Sequence, residues 1–169
     1  ALVTAGPGLT NAITGLAGAW LESRELLLLG GQVKVADLSS FSLRQSGIQE
    51  IGGATLAASI CKKSICITKP LSSEEFISEV SLTWKARKGP VFIELPLDIQ
   101  AVDVKDQFIT AHSENDLSHH FDKGKCQVDT SIIELLARNI RSAKRPLLLL
   151  GGGLSRDYSF AMEPLIDSL

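Results

Sequence analysis

Cysteine is scarce in this 169-residue chain: only Cys61, Cys66 and Cys126 are present. The three cannot all pair with one another, and their spacing fits no zinc pattern, so reduced thiols of a cytoplasmic protein are the simpler reading and no metal site is assigned. Excess charge is also lacking. A net charge of -2 gives no reason to expect nucleic acid as a partner. No apolar run is long enough to span a bilayer, so no membrane partner is expected. A secretory leader is missing too, but the chain begins at Ala1 rather than at methionine, which leaves the matter of targeting undecided. The dinucleotide fingerprint lacks its third glycine, because Asn11 stands where it belongs.

What remains is ordinary for a soluble globular protein, with 44% hydrophobic and 21% charged residues. The length allows one domain with a sizeable core, or one domain and part of another. The stretch from Ala1 to Asn11 organises the rest. Leu2 and Val3 read as the end of a buried strand, Gly6-Pro7-Gly8 as a tight turn, and Thr10 or Asn11 as a helix cap. Ala12, Ile13, Leu16, Ala17 and Trp20 then recur at helical spacing. A strand, a glycine turn and a helix N-terminus form a place where an α/β sheet takes a ligand, although a plain connecting turn reads the same way.

Leu26-Leu-Leu-Leu-Gly30 is a continuous apolar run suited to a central parallel strand. Gly31-Gln32-Val33 follows at its carboxyl end. Residues 34–50 form a long polar excursion with Ser39, Ser40, Ser42, Arg44, Gln45 and Ser46, of the kind that carries function or moves. Residues 55–60 predict a short helix, and Ser64 to Thr68 a strand stopped by Pro70. Ser72 and Glu75 form a capping box. Phe76, Ile77, Val80 and Trp84 mark the apolar face of the helix after it, which is expected to run to Gly89-Pro90. Val91 to Pro96 is the next strand. Strands alternating with helices call for a parallel sheet and an α/β fold.

Residues 101–128 are polar without a period and read as a linker. His112, His119 and His120 lie in it, with no carboxylate or cysteine pattern to complete a metal site. A second unit opens at Asp129. Ser131 and Glu134 fit another capping box, and Ile132, Ile133, Leu136 and Ile140 mark an amphipathic helix. Leu147-Leu-Leu-Leu150 with Gly151-Gly-Gly153 again reads as strand and glycine turn, and Pro164 as the kink or end of the last helix. One strand and two helices cannot bury a core, so this unit reads as the start of a domain.

The motifs resemble, in combination and in order, those of thiamine-diphosphate enzymes of the acetolactate synthase type. Gly6-Pro-Gly-Leu-Thr-Asn-Ala-Ile-Thr-Gly15 is similar to the family's G-P-G-x-T-N-x-x-T-G turn and helix. Gly31-Gln-Val33 is similar to its G-Q-V, and Arg44-Gln-Ser-Gly-Ile-Gln-Glu50 to the segment ending in its Q-E. Arg87-Lys-Gly-Pro-Val-Phe-Ile-Glu-Leu-Pro-Leu-Asp98 resembles R-x-G-P-V-x-x-x-x-P-x-D. Arg145 to Gly153 resembles the first strand of the family's central domain. Two departures stand out: Gly52-Gly53 where an acidic residue often follows Q-E, and Lys63 where an aromatic residue usually follows the lysine.

The resemblance implies that residues 1–100 are the later part of a pyrimidine-binding domain, and that residues 129–169 open the central domain. It implies that Gly6, Pro7, Gly8, Asn11 and Gln49 bind thiamine diphosphate. Lys62 would lie near the substrate channel, and Arg87 would contact FAD, as in the flavin-containing members. Mg2+ would come through a domain outside these residues, and the glutamate that pairs with the pyrimidine ring would lie upstream of Ala1, one strand and helix earlier. No catalytic residue is therefore assigned here, and this stretch alone is expected to be inactive. The implied reaction decarboxylates a 2-oxo acid and transfers the acyl-anion unit to a second 2-oxo acid, in a homodimeric parent protein of branched-chain amino-acid synthesis. Another decarboxylase or lyase with the same cofactor, or a non-catalytic module with the same fold, stays open, as does a plain nucleotide-binding protein using one of the glycine turns.

Overall fold

Phe92 is fully buried at the centre of a strand that hides nearly every side chain, and the sheet is built around it. In the computed structural model, which describes residues 1–39, 43–103, 128–151, 154 and 156–167, the chain divides into two compact units, Ala1–Lys123 and Gly124–Leu169. The division falls inside the segment read as a linker.

The first unit contains β1 (Leu2–Val3), α1 (Pro7–Leu21), β2 (Leu26–Gln32), α2 (Gly53–Ala57), β3 (Lys63–Cys66), α3 (Ser73–Ser81), β4 (Pro90–Pro96) and the short α4 (Leu97–Gln100). The strands are all parallel in the order β1-β2-β4-β3, so β2 and β4 are interior. Both faces are covered, as a parallel sheet requires. Alternation along β4 decides which residue goes where. Phe92 packs with Leu9 and Leu16 of α1, Leu28 of β2 and Ala57 of α2. Val91 and Ile93 face the other way, toward Phe76 and Val80 of α3. Gly30 is small because the ring of Phe92 crosses it: a methyl group there would fall 2.9 Å from a ring carbon.

The α/β fold with a parallel sheet agrees with the sequence reading, and so does the capping box of α3. The Ser72 side chain accepts from Glu75 N at 3.2 Å, while the Glu75 carboxylate accepts from Ser72 N at 2.7 Å. Other expectations change. Helix α1 begins at Pro7, so Thr10 and Asn11 lie inside it and neither caps it; Gly6 is the cap residue and Thr10 donates its hydroxyl to the Pro7 carbonyl at 3.1 Å. Helix α3 stops at Ser81, so Trp84 and Arg87 lie in the turns that follow, not in a last helical turn.

The second unit holds α5 (Thr130–Ser142) and α6 (Arg156–Asp167). The cap of α5 is Asp129, whose carboxylate accepts from Ser131 N at 2.9 Å, and this pre-empts the expected box at Ser131. Pro164 lies within α6 and does not end it. Residues 147–150 form no strand. Leu147 and Leu149 are 92% and 88% exposed, because no neighbouring strand of the unit is there to pair with them among the described residues. Gly152 and Gly153 of that turn lie outside the described residues, as do Ser40, Ser42, Cys126, His112, His119 and His120.

Candidate functional site

The turn after β1 is held open by a residue that must lack a side chain. Gly6 has φ of 56°, where an L side chain is strained, and a methyl group on it would fall 2.3 Å from the carbonyl oxygen of Gln49. Gln49 itself sits at φ of 61° and is exposed. The two backbones interlock, one from the first turn of the chain and one from the long loop before α2. Pro at the first helical position suits α1, since its missing N–H would be unbonded there anyway. Pro7 and Asn11 are exposed one helical turn apart, on the same side of α1. Gly8 is packed on Thr4, with 2.8 Å between a methyl at that position and Thr4 Cγ2. The first turn thus brings Gly6, Pro7, Gly8 and Gln49 together, with Asn11 above them.

Beside this turn lies a cleft of about 440 Å³ at the carboxyl ends of β1, β2 and β4, bordered by Ala5, Gly31, Gln32, Ile48, Gln49 and Leu97. Ligands of open α/β sheets bind at this edge. Pro7, Gly8 and Asn11 stand at its rim rather than in its lining. The loop that delivers Gln49 is closed by its neighbour. The Glu50 carboxylate accepts the amides of Ser39 at 2.5 Å, Ser46 at 2.6 Å and Gly47 at 3.1 Å. These amide donors, first Ser46, then Ser39 and Gly47, pull the Glu50 carboxyl down to about 2.

A second cavity of about 240 Å³ adjoins the first and is lined by Gln32, Ser39, Glu50, Ala54, Cys66 and Glu94 among others. Glu94 is 4% exposed, and burial raises its carboxyl above the ordinary value, against the pull of the nearby Ala54 amide, the bond from Gln32 and the nearby Gly53 amide. The thiol of Cys66 is pushed up to about 11, first by burial and then by the Glu94 charge; burial alone does the same to Cys61. Sequence reading placed Gln32 in the motif at the carboxyl end of its strand but gave no role to it or to Glu94, since both stand in otherwise apolar strands. The only signal was a charged residue at a position whose alternation demanded burial. Gly53 has a structural reason: a methyl there would fall 2.1 Å from Glu94 Oε1 and 2.3 Å from a Leu9 methyl.

Lys62 and Arg87 are not part of this assembly. Both lie at the amino ends of β3 and β4, and the seven residues of β4 separate them from the cleft by about 20 Å at some 3.3 Å per residue. Lys62 Nζ donates to the carbonyls of Lys85 and Arg87, the latter at 2.7 Å. Burial, then the Lys85 charge, lowers its ammonium from the usual lysine range. The Arg87 guanidinium lies 5.2 Å from the Trp20 ring centre and donates to Trp20 O at 2.8 Å and Ser23 Oγ at 2.9 Å. Among the described residues no group of three or more His, Cys, Asp or Glu could hold a metal ion, and no helix is long and apolar enough to cross a membrane.

Residues 1–57 match the family model of the thiamine pyrophosphate enzyme N-terminal TPP binding domain. Gly6, Pro7, Gly8, Asn11 and Gln49 fall inside the match; Lys62 and Arg87 fall outside it. The chain is 34% identical over 163 residues to the acetolactate synthase large subunit of Lactococcus lactis, covering 96% of this chain and 26% of that protein. It is 32% identical over 152 residues to the probable acetolactate synthase large subunit of Methanocaldococcus jannaschii, covering 89% and 24%. Against the isozyme 2 large subunit of Escherichia coli the identity is 27% over 155 residues, covering 90% and 26%. The chain therefore spans about a quarter of the length of these relatives.

Proposed function

We propose, from the premise that this chain belongs to the thiamine-diphosphate-dependent enzymes of the acetolactate synthase type, that its first unit holds the aminopyrimidine half of the cofactor at the turn built by Gly6 and Gln49. The observation that carries this is the interlock of two left-handed backbones, 2.3 Å from a methyl on Gly6 to Gln49 O, at the carboxyl edge of a parallel sheet. The residues there fit the ring. Pro7 offers an exposed apolar edge, and the Gln49 and Asn11 amides each offer a donor and an acceptor.

When bound, thiamine diphosphate supplies an electron sink for decarboxylation of a 2-oxo acid. The chain's own residues bind and orient. Gln49 holds the ring polar edge, Pro7 packs its side, and Glu50 keeps the loop closed around them. The protein of which these residues are part would decarboxylate one 2-oxo acid and join the remaining unit to a second, most simply as a homodimer in the cytoplasm. Exposed Ile48 and Leu97 beside the cleft are apolar surface for such an assembly. Mg2+ does not fit the described residues, which hold no ligand cluster. FAD at Arg87 would have to share a guanidinium already bonded to Trp20 and Ser23. The test is a titration of the chain with thiamine diphosphate and, separately, with NAD, followed by Trp20 and Trp84 fluorescence. Saturable binding of thiamine diphosphate alone supports the reading; binding of NAD alone contradicts it.

A further inference from the structure

Gln32 and Glu94 stand on neighbouring strands and point to the α1 and α2 side of the sheet, 6% and 4% exposed. A buried polar pair is costly unless its bonds are all made, so the direction of those bonds tells what it is for. Gln32 Nε2 donates to Glu94 Oε1 at 3.0 Å and to the Ile51 carbonyl at 2.9 Å. Gln32 Oε1 accepts from Val33 N at 2.9 Å, which fixes which end of the amide faces the turn. Glu94 Oε1 is pressed on Gly53, where a methyl group would fall 2.1 Å from it, at the start of helix α2, and that helix has no capping side chain of its own. The pair therefore holds the backbone of residues 51–54 by a bond to the Ile51 carbonyl on one side and by the close packing of Glu94 on Gly53 on the other. This segment begins two residues after Gln49.

We propose that Gln32 and Glu94 are positioning residues for the Gln49 turn: by anchoring residues 51–54 to the interior strands they set the Gln49 backbone against Gly6 and its amide at the cleft. The inference rests on the thiamine reading of that cleft. Glu94→Gln keeps the shape and removes the charge that holds the Gln32 amide and faces Gly53. If its amide nitrogen faces Gln32, two donors meet, and relief by turning Gln32 over takes the donor from Ile51. If it faces away from Gln32, the charge that sat against Gly53 at the start of α2 is still lost. Gln32→Met removes the Ile51 bond from the other side with little change of volume.

The test is backbone hydrogen exchange on the full chain, read together with thiamine binding. Glu94→Gln and Gln32→Met are each expected to speed exchange at Gly53 and Ala54 by about tenfold, while β2 and β4 amides stay within about twofold of the unaltered chain. Thiamine affinity is expected to fall in both. Combined with Gln49→Ala, Glu94→Gln is expected to cost no further affinity, because it acts through Gln49. A purely structural pair would give additive losses. Unchanged protection at residues 53–54 overturns the proposal, and so does loss of protection across the whole sheet in both variants, since the pair would then hold the sheet and not the turn. If the unaltered chain binds no thiamine, the functional reading fails, and the exchange pattern still decides whether the pair holds the turn.

Discussion

Three backbone amides converge on the Glu50 carboxylate, and a single proton would undo them. Its carboxyl is held near 2 against an ordinary 4.5 by the amides of Ser46, Ser39 and Gly47. A lowered folded value means that its share of stability is complete above pH 4.5 and is lost as pH falls toward 2. The exchange rates of the Ser46 and Gly47 amides, corrected for their intrinsic pH dependence, should rise over that window, and Glu50→Gln should show fast exchange at every pH. Gly6 is the other residue on which the turn against Gln49 depends. Gly6→Ala puts a methyl 2.3 Å from Gln49 O in a backbone conformation unfavourable for alanine, and should destabilise the first unit by about 1–3 kcal/mol in urea unfolding, with weaker thiamine binding.

At the scale of elements, local signals were legible and tertiary ones were not. The box at Ser72 and Glu75 is written within four residues and forms as read. The run Leu26–Gly30 and the strand from Val91 to Pro96 are apolar because both faces of a parallel sheet are covered, so their burial followed from the pattern. The start of α1 was misread because a glycine with positive φ and a proline at the first position do the work that a side-chain cap would otherwise do. The four leucines at 147–150 read as a strand, yet a strand exists only with a partner, which a one-dimensional pattern does not supply. The pair of Gln32 and Glu94 joins positions 62 apart and was invisible for the same reason. Lys62 belongs to this scale too. Its two carbonyl bonds clamp the turn before β4, far from the cleft. Lys62→Met should lower stability by about 1–2 kcal/mol and leave thiamine affinity unchanged, measured by urea unfolding and ligand titration on the same samples.

At the largest scale, the two ends of the sheet in the first unit differ in what they carry. The carboxyl edge carries Gly6, Gln49, Glu50 and the two adjoining cavities, while the amino edge carries Lys62, Arg87 and Trp20 in a closed set of bonds. The second unit has a different character, with Leu147 and Leu149 largely exposed and no sheet among its described residues. The match to the thiamine pyrophosphate domain ends at residue 57, so it covers the carboxyl-edge residues and stops before Lys62. The proposed place for the aminopyrimidine ring is the Gly6 and Gln49 turn. Calorimetric titration of thiamine diphosphate into the unaltered chain, Gln49→Ala and Arg87→Ala tests it most directly. Binding by the unaltered chain is expected, with affinity about tenfold weaker in Gln49→Ala for the lost amide contact and no change in Arg87→Ala. Equal affinity in Gln49→Ala, or a loss confined to Arg87→Ala, would contradict it.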